Sequence, residues 1–204
     1  MEWVYTSEPI EYLTALEKMQ AQVIAIHSQS APEMIWGLQH LSVFTAGTSA
    51  KAEDLIDDLG FPVHQTGRGG QLTYHGPGQL IMYVMINLAK RDLPIKKFVS
   101  TLESWVVDSL KELGIQAEKR DDHIGLWVPK ANGEQEKIAA IGVRVSKGVT
   151  SHGLALNISP NLDYFKGIVP CGLNQSGVTS AEKLGKKISI KEVFNVMKSL
   201  SPFR

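Results

Sequence analysis

The chemistry open to this sequence is concentrated in one thiol, one amine and one glycine-rich stretch. Cys171, the single cysteine, sits in Pro170-Cys171-Gly172, a turn-like setting in which functional side chains concentrate. A thiol becomes a nucleophilic thiolate at neutral pH only beside a cation or base. Lys137 opens the otherwise apolar run Ile138-Ala139-Ala140-Ile141, where an ammonium could be partly desolvated, and a lysine can act in either role. Each residue also has a plainer reading: a small buried hydrophobe for the cysteine, a solvated strand end for the lysine. The third feature runs from Thr66 to Leu80 and carries five glycines, Arg68 and His75, with no acid. Glycine allows close approach of backbone N–H groups to a ligand, and Arg68 adds a fixed planar cation. Both glycine clusters could equally be tight turns. The alternation of Gln71, Thr73 and His75 with Leu72 and Tyr74 favours a lined pocket.

Neither cluster completes a familiar nucleotide loop. There is no G-x-x-x-x-G-K-[ST], and both fail G-x-G-x-x-G at its last glycine. The six histidines (His27, His40, His64, His75, His123 and His152) include no His-x-x-x-His pair. With one cysteine, neither a structural nor a catalytic zinc set is apparent, so no metal is expected.

These groups must be held by the surrounding elements. An apolar run, Ile81 to Leu88, follows the glycine-rich stretch with strand length and β-favouring composition. Apolar spacing predicts helices over Ile10–Ile26, with Ser7 or Glu8 near the start and Pro9 in the first turn, and over Ile95–Leu113, stopped by Gly114. Short strands are expected at Met34–Leu38, Leu41–Thr45, Pro62–Thr66, Ile115–Glu118 and Ile124–Val128. A short helix is expected over Glu53–Leu59. Asn132-Gly133 predicts a hairpin turn before the strand Lys137–Val145. Lys147-Gly148 then turns into Ser151–Ile158, and Ser189–Leu200 closes the chain as a helix. No repeat or linker interrupts residues 1–204. The reading is a single α+β domain with a mixed β-sheet flanked by helices.

Composition narrows the classes. Hydrophobic residues make up 43% and charged ones 21%, and Lys+Arg and Asp+Glu balance at 21 each. That is ordinary for a soluble globular protein. The absence of a dense basic run disfavours nucleic acid. No segment has the length or apolarity of a signal peptide or membrane span. One cysteine fits a reducing compartment, so a cytoplasmic protein with no membrane partner is expected.

With these motifs assembled, the sequence resembles the lipoyl(octanoyl) transferases, whose fold is similar to biotin and lipoate protein ligase catalytic domains. The resemblance rests on RGGQLTYHGPGQ from Arg68 to Gln79, KIAAIGVR from Lys137 to Arg144, SHGLALN from Ser151 to Asn157, and Pro170-Cys171-Gly172. These span roughly residues 35 to 180 in the family's order. Leu41 to Gly47 departs from the family's more usual His-Pro-Val-Tyr-Thr.

The resemblance implies transfer of an octanoyl group from octanoyl-acyl carrier protein to a lysine of a lipoyl domain, with no cofactor. The acceptors implied are the lipoyl domains of 2-oxoacid dehydrogenase complexes and the glycine cleavage H protein. Cys171 would carry the acyl group as a thioester, and Lys137 would lower its pKa and later take the amine's proton. Substrate would be lined by Arg68, Gly69, Gly70, Gln71, Leu72, Thr73, Tyr74 and His75. Further along, Ala140, Ile141, Gly142, Gly153, Leu154 and Ala155 would complete the lining. Leu72, Tyr74, Ala140 and Leu154 are candidate walls for the acyl chain. Backbone N–H groups in loops at Gly142 and Gly153 are candidate oxyanion donors. His75 could act on the acceptor lysine or hold loop carbonyls; a structural role suits His152 better. Arg144 and Lys147 could form a basic lip for acidic partners. Two alternatives stay open: an ATP-dependent lipoate or biotin protein ligase, and a non-catalytic acyl-carrier docking module.

Overall fold

The computed structural model describes residues 1–169 and 177–203. Its strands are β1 (Glu2–Tyr5), β2 (Met34–Leu38), β3 (Val43–Ala46), β4 (Val63–Gln65), β5 (Leu72–His75), β6 (Gln79–Met85), β7 (Leu126–Pro129), β8 (Gln135–Ser146), β9 (Val149–Asn157) and β10 (Gly177–Val178). The helices are α1 (Tyr12–His27), α2 (Ile95–Glu112) and α3 (Ile190–Ser199).

Two mixed sheets result. The larger has seven strands in the order β1-β2-β6-β9-β8-β10, with β7 also on β8; β3 is the centre of a smaller one between β4 and β5. β8 is long enough to serve two neighbourhoods. Its second half pairs with β9, while its first half pairs with β7 and, in parallel, with β10. Lys137 falls in that first half, in register with Trp127 of β7 and Val178 of β10.

The helices cover opposite faces of the large sheet. α1 buries Ala15, Met19 and Ile26 against Trp36, Ile81 and Tyr83. α2 and α3 cover the other face, and the Trp105 indole donates to the Met197 carbonyl at 2.8 Å to tie them together. Phe98 and Leu102 are fully buried, each contributing roughly 1.5–3 kcal/mol. A capping box starts α3, with Glu192 N–H donating to Ser189 Oγ and Ser189 N–H to Glu192 Oε2. α1 starts later than its pattern suggests, because Glu11 Oε2 accepts from Thr14 N–H at 2.7 Å and so caps it.

Several expected elements are shorter or different. The segment predicted as a helix over Glu53–Leu59 holds a single 3-10 turn, Ala52–Asp54; Asp57 and Asp58 bond instead to local backbone N–H groups, which competes with helix. Ile115–Glu118 contributes only an isolated bridge, Glu118 to Trp127. β1, β5 and β10 are strands the sequence pattern did not reveal.

Candidate active site

A cavity of about 450 Å³ opens over the large sheet where the loop 66–71 crosses β8 and β9. Arg68 fixes that loop. Its Nη2 donates to the Thr45 carbonyl at 2.6 Å and to Thr45 Oγ1 at 2.8 Å, and Nη1 donates to the Gly69 carbonyl at 3.1 Å. The loop is also laced to the sheet, since Gly69 N–H donates to the Val143 carbonyl at 3.0 Å. A Cβ at Gly142 would stand 3.0 Å from Gly69 oxygen, so glycine there lets loop and strand approach.

Most of the expected lining is brought together. Arg68, Gly69, Gly70, Gln71, Thr73 and His75 border the cavity. So do Ala140, Ile141 and Gly142 of β8, facing Gly153, Leu154 and Ala155 of β9. Leu72 and Tyr74 are not on it. They belong to the apolar cluster of the small sheet with Phe44, Phe165 and Ile168, and the Tyr74 hydroxyl bonds Ser42 Oγ at 3.0 Å. The reason is strand geometry: β5 alternates, so Thr73 and His75 face the cavity while Leu72 and Tyr74 face the other way. They are therefore not walls for an acyl chain.

Gly142 and Gly153 lie in strands, not loops, paired with each other across β8 and β9. A Cβ at Gly153 would collide with the Met82 carbonyl oxygen; glycine serves close backbone approach here. Beside it His152 has φ +59°, a left-handed backbone costing roughly 1–3 kcal/mol. Its N–H points to Met19 Sδ of α1 at 3.1 Å. Thr150 fills the ladder nearby, donating to the Val84 carbonyl and accepting from Ile86 N–H.

Lys137 is buried, 8% exposed, and lines the cavity. Its Nζ sits 5.0 Å from the centre of the Trp127 ring, an arrangement that steadies a cation. Cys171 lies outside the described residues. Among the described residues on either side of it, Val169 N–H donates to the Asp54 carbonyl and Val178 pairs with Lys137.

Three histidines and two tyrosines, only partly anticipated, form the deep wall. Tyr12 and Tyr83 line the cavity; His40 is fully buried behind Tyr83. The His40 ring spans Ile10 oxygen, 3.0 Å from Nδ1, and Tyr83 Oη, 2.7 Å from Nε2. Burial lowers His40 to about 4 and His152 to about 3, the latter also disfavoured by Arg68 and Arg144. His75, bonded to Gln79 Oε1 at 3.2 Å, is held well below the usual imidazole range by burial, then by His40 and Arg68. All three rings are neutral at pH 7. Tyr12 is pushed up to about 12 by burial, and its hydroxyl makes no hydrogen bond among the described residues. One sequence signal pointed here: Tyr83 in an otherwise apolar strand needs a partner for its hydroxyl.

Arg144 borders a second cavity of about 360 Å³ beside α1. It and Lys147 are exposed on the β8–β9 hairpin. Among the described residues, no group of three His, Cys, Asp or Glu is placed to hold a metal. No described helix is long and apolar enough to cross a membrane.

A mixed sheet with a glycine loop strapped over it and a largely apolar cavity defines the fold class, which lipoate and biotin protein ligases of known structure share. Solved structures agree on the fold. A bi-partite lipoate protein ligase from Thermoplasma acidophilum superposes with a TM-score of 0.72 at 18% identity, covering 98% of this chain and 81% of that one. The biotin protein ligase of Aquifex aeolicus gives 0.59 at 14%, covering 98% and 69%.

Residues 11–199 match the lipoyl protein ligase A/B catalytic domain, and the chain belongs to that family. An octanoyltransferase of Wolbachia pipientis wMel is 47% identical over 198 residues, 97% of this chain and 96% of the relative. Another, from Paramagnetospirillum magneticum, is 45% identical over 193 residues, covering 95% and 91%. The chain is accordingly an enzyme of the octanoyltransferase type, and its activity is octanoyl transfer in protein lipoylation.

Proposed function

We propose that the octanoyl group arrives on acyl carrier protein, is held briefly on Cys171, and leaves on a lysine of a lipoyl domain. The observation that carries this reading is Lys137: a buried amine on the cavity wall, flanked by the strand that resumes just after the Cys171 segment.

The chemistry closes without an outside reagent. The Cys171 thiolate, stabilised by the Lys137 ammonium, attacks the donor carbonyl carbon. The tetrahedral intermediate collapses with loss of the carrier's thiolate, which takes a proton from Lys137. The acceptor lysine then enters as a neutral amine, since an ammonium has no lone pair. Its nitrogen attacks the thioester, the C–S bond breaks, and the surplus amine proton passes to Lys137. Enzyme and proton count return to their starting state.

The cavity suits the acyl chain on the Ala140, Ala155 and Leu154 side; about 450 Å³ falls within the range for small-molecule sites. Arg68 holds the loop roof, while Gln71 and Thr73 furnish polar atoms toward the thioester. Arg144 and Lys147 offer positive charge to acidic carrier and lipoyl domains such as those of 2-oxoacid dehydrogenases and the glycine cleavage H protein. A thiol that must stay reduced suits the cytoplasm.

The test is intact mass after mixing with octanoyl-carrier protein in the absence of ATP. An octanoyl adduct that is absent from Cys171→Ala and discharged by lipoyl domain is the expected result. Acylation of lipoyl domain that needs ATP and free acid, with no adduct, would overturn the proposal in favour of a ligase.

A further inference from the structure

One residue stands between the two cavities. His152 borders the active-site cavity of about 450 Å³ and also the cavity of about 360 Å³ beside α1, and no other described residue lines both. Around it the lining passes from one cavity to the other between Gly67 and Arg68, and again between Val143 and Arg144. The ring owes this position to its backbone. Alternation along β9 sends Leu154 and Leu156 into the cluster shared with Phe98 and Leu102 of α2, and Val149 and Ala155 into the one shared with Met19 of α1. By that count His152 belongs with the leucines. Its φ of +59° interrupts the alternation, and the ring instead meets Tyr83 edge-on on the α1 side, with 5.9 Å between ring centres. Strain of this kind gathers at ligand sites; here it turns a ring across the gap between two cavities.

The distance from Lys137 to this ring suits the cargo. Lys137 Nζ lies at the level of Ala139: a Cβ at Gly125 would stand 3.1 Å from that nitrogen and 2.7 Å from the Ala139 carbonyl oxygen. His152 is paired with Val143. From Ala139 to Val143 the strand β8 advances about 13 Å. An extended octanoyl chain, with a van der Waals contact at each end, fills a span of that order. Between the two ends lie Ala140, Gly142 and Ala155, small residues that leave room for a chain. His152 is neutral at pH 7, so its ring can face a methyl group without setting a charge against it. Beyond it, Leu16, Met19 and Val23 of α1 offer apolar surface on one side of the second cavity.

We propose that His152 is the end wall of the acyl cavity, a specificity-determining residue that stops the chain at eight carbons and closes it off from the cavity beside α1. The proposal rests on the reading above in one respect, that the acyl carbonyl reacts at Lys137. A twelve-carbon chain meets the imidazole before its carbonyl reaches the amine. With the ring removed the two spaces join, and the tail of that chain lies against α1. Met19 backs the wall from that helix, its Sδ 3.1 Å from the His152 backbone nitrogen.

Competition between octanoyl- and dodecanoyl-carrier protein for transfer to lipoyl domain reads the wall. His152→Gly deletes the ring and accepts the positive φ. Its dodecanoyl-to-octanoyl ratio of kcat/KM should rise at least about 10-fold over wild type, the scale on which a pocket accepts or refuses a single methylene. His152→Asn, which also tolerates a left-handed backbone, should fall between the two. An unchanged ratio in His152→Gly, or a gain for hexanoyl donor equal to that for dodecanoyl, would overturn the assignment, because loosened packing does not sort chains by length. Calorimetry with free octanoate and dodecanoate involves no carrier and no transfer step. Tighter dodecanoate binding by His152→Gly than by wild type supports the wall, and equal binding overturns it. A wild-type enzyme inactive with every carrier donor would remove the donor reading instead, and the free-acid titration would still decide the role of His152.

Discussion

Lys137 and Trp127 are paired across β8 and β7, and the ammonium of one rests 5.0 Å from the ring centre of the other. The indole is fully buried, so it offers a fixed, weakly polar surface against which a cation can rest. In the proposed reaction Lys137 alternates between acid and base, and this contact helps to hold its side chain at the cavity wall.

Removing the Lys137 amine should therefore be far costlier than disturbing its support. Lys137→Ala is expected to lower kcat/KM by about 10²–10⁴-fold, the scale of a lost general acid–base group. Trp127→Leu should cost less, about 10-fold, consistent with a loss of roughly 0.5–2 kcal/mol of cation–π interaction. Steady-state kinetics with octanoyl-carrier protein and lipoyl domain check both; an active Lys137→Ala enzyme would exclude Lys137 from proton transfer.

Chain-length preference should respond to the alanines. Ala140 and Ala155 face each other across β8 and β9 on the cavity wall. Enlarging Ala155 to Leu removes space that an extended acyl chain would fill. Each methylene excluded from apolar surroundings costs about 0.8 kcal/mol. The ratio of kcat/KM for octanoyl over butanoyl donors should drop by at least about 10-fold, and an unchanged ratio would place the chain elsewhere.

Stability should fall on acidification through a window set by the histidines. His40 and His152 titrate at about 4 and about 3 in the folded protein, against about 6.5 in an unfolded chain. Between those values the unfolded state binds more protons, so acid favours unfolding. The stability is fully present above about pH 6.5 and is lost at up to about 1.4 kcal/mol per pH unit per histidine as pH falls. Urea midpoints at pH 7, 6 and 5 should decline, with a shallower slope in His40→Gln.

Partner docking should depend on the β8–β9 hairpin. Arg144 and Lys147 are both exposed there, and surface charges act mainly on encounter. Arg144→Glu with Lys147→Glu is expected to raise KM for carrier protein several-fold at low salt and to flatten its salt dependence, leaving kcat near wild type. Identical salt curves for the two enzymes would rule this surface out.

Much of the fold was legible in the chain. The apolar stripe Phe98, Leu102, Trp105, Val106 and Leu110 marked α2, and all five are buried. Turn residues marked the β8–β9 hairpin, because Gly148 tolerates the positive φ it adopts there. Local propensity was weaker where local bonds competed, as at Asp57 and Asp58, and in β1, which owes its place to parallel pairing with distant β2.

For the site, the sequence by itself determined which residue types were available: a glycine loop with one arginine, a lysine opening an apolar strand, and alternating side chains in β5. Alternation separates two faces, yet both Thr73 and Tyr74 looked equally fit to line a pocket. Only the pairing of β5 with β3, and the packing of Phe44, Phe61 and Phe165 on one side, decided which face met the cavity. Tertiary structure likewise decided the polarity of Tyr83, since its proton goes to a histidine 43 positions away that is itself fixed by a carbonyl 30 positions further back. Hydrogen-bond direction depends on partners brought together by sheet register, and no local pattern of residues encodes it.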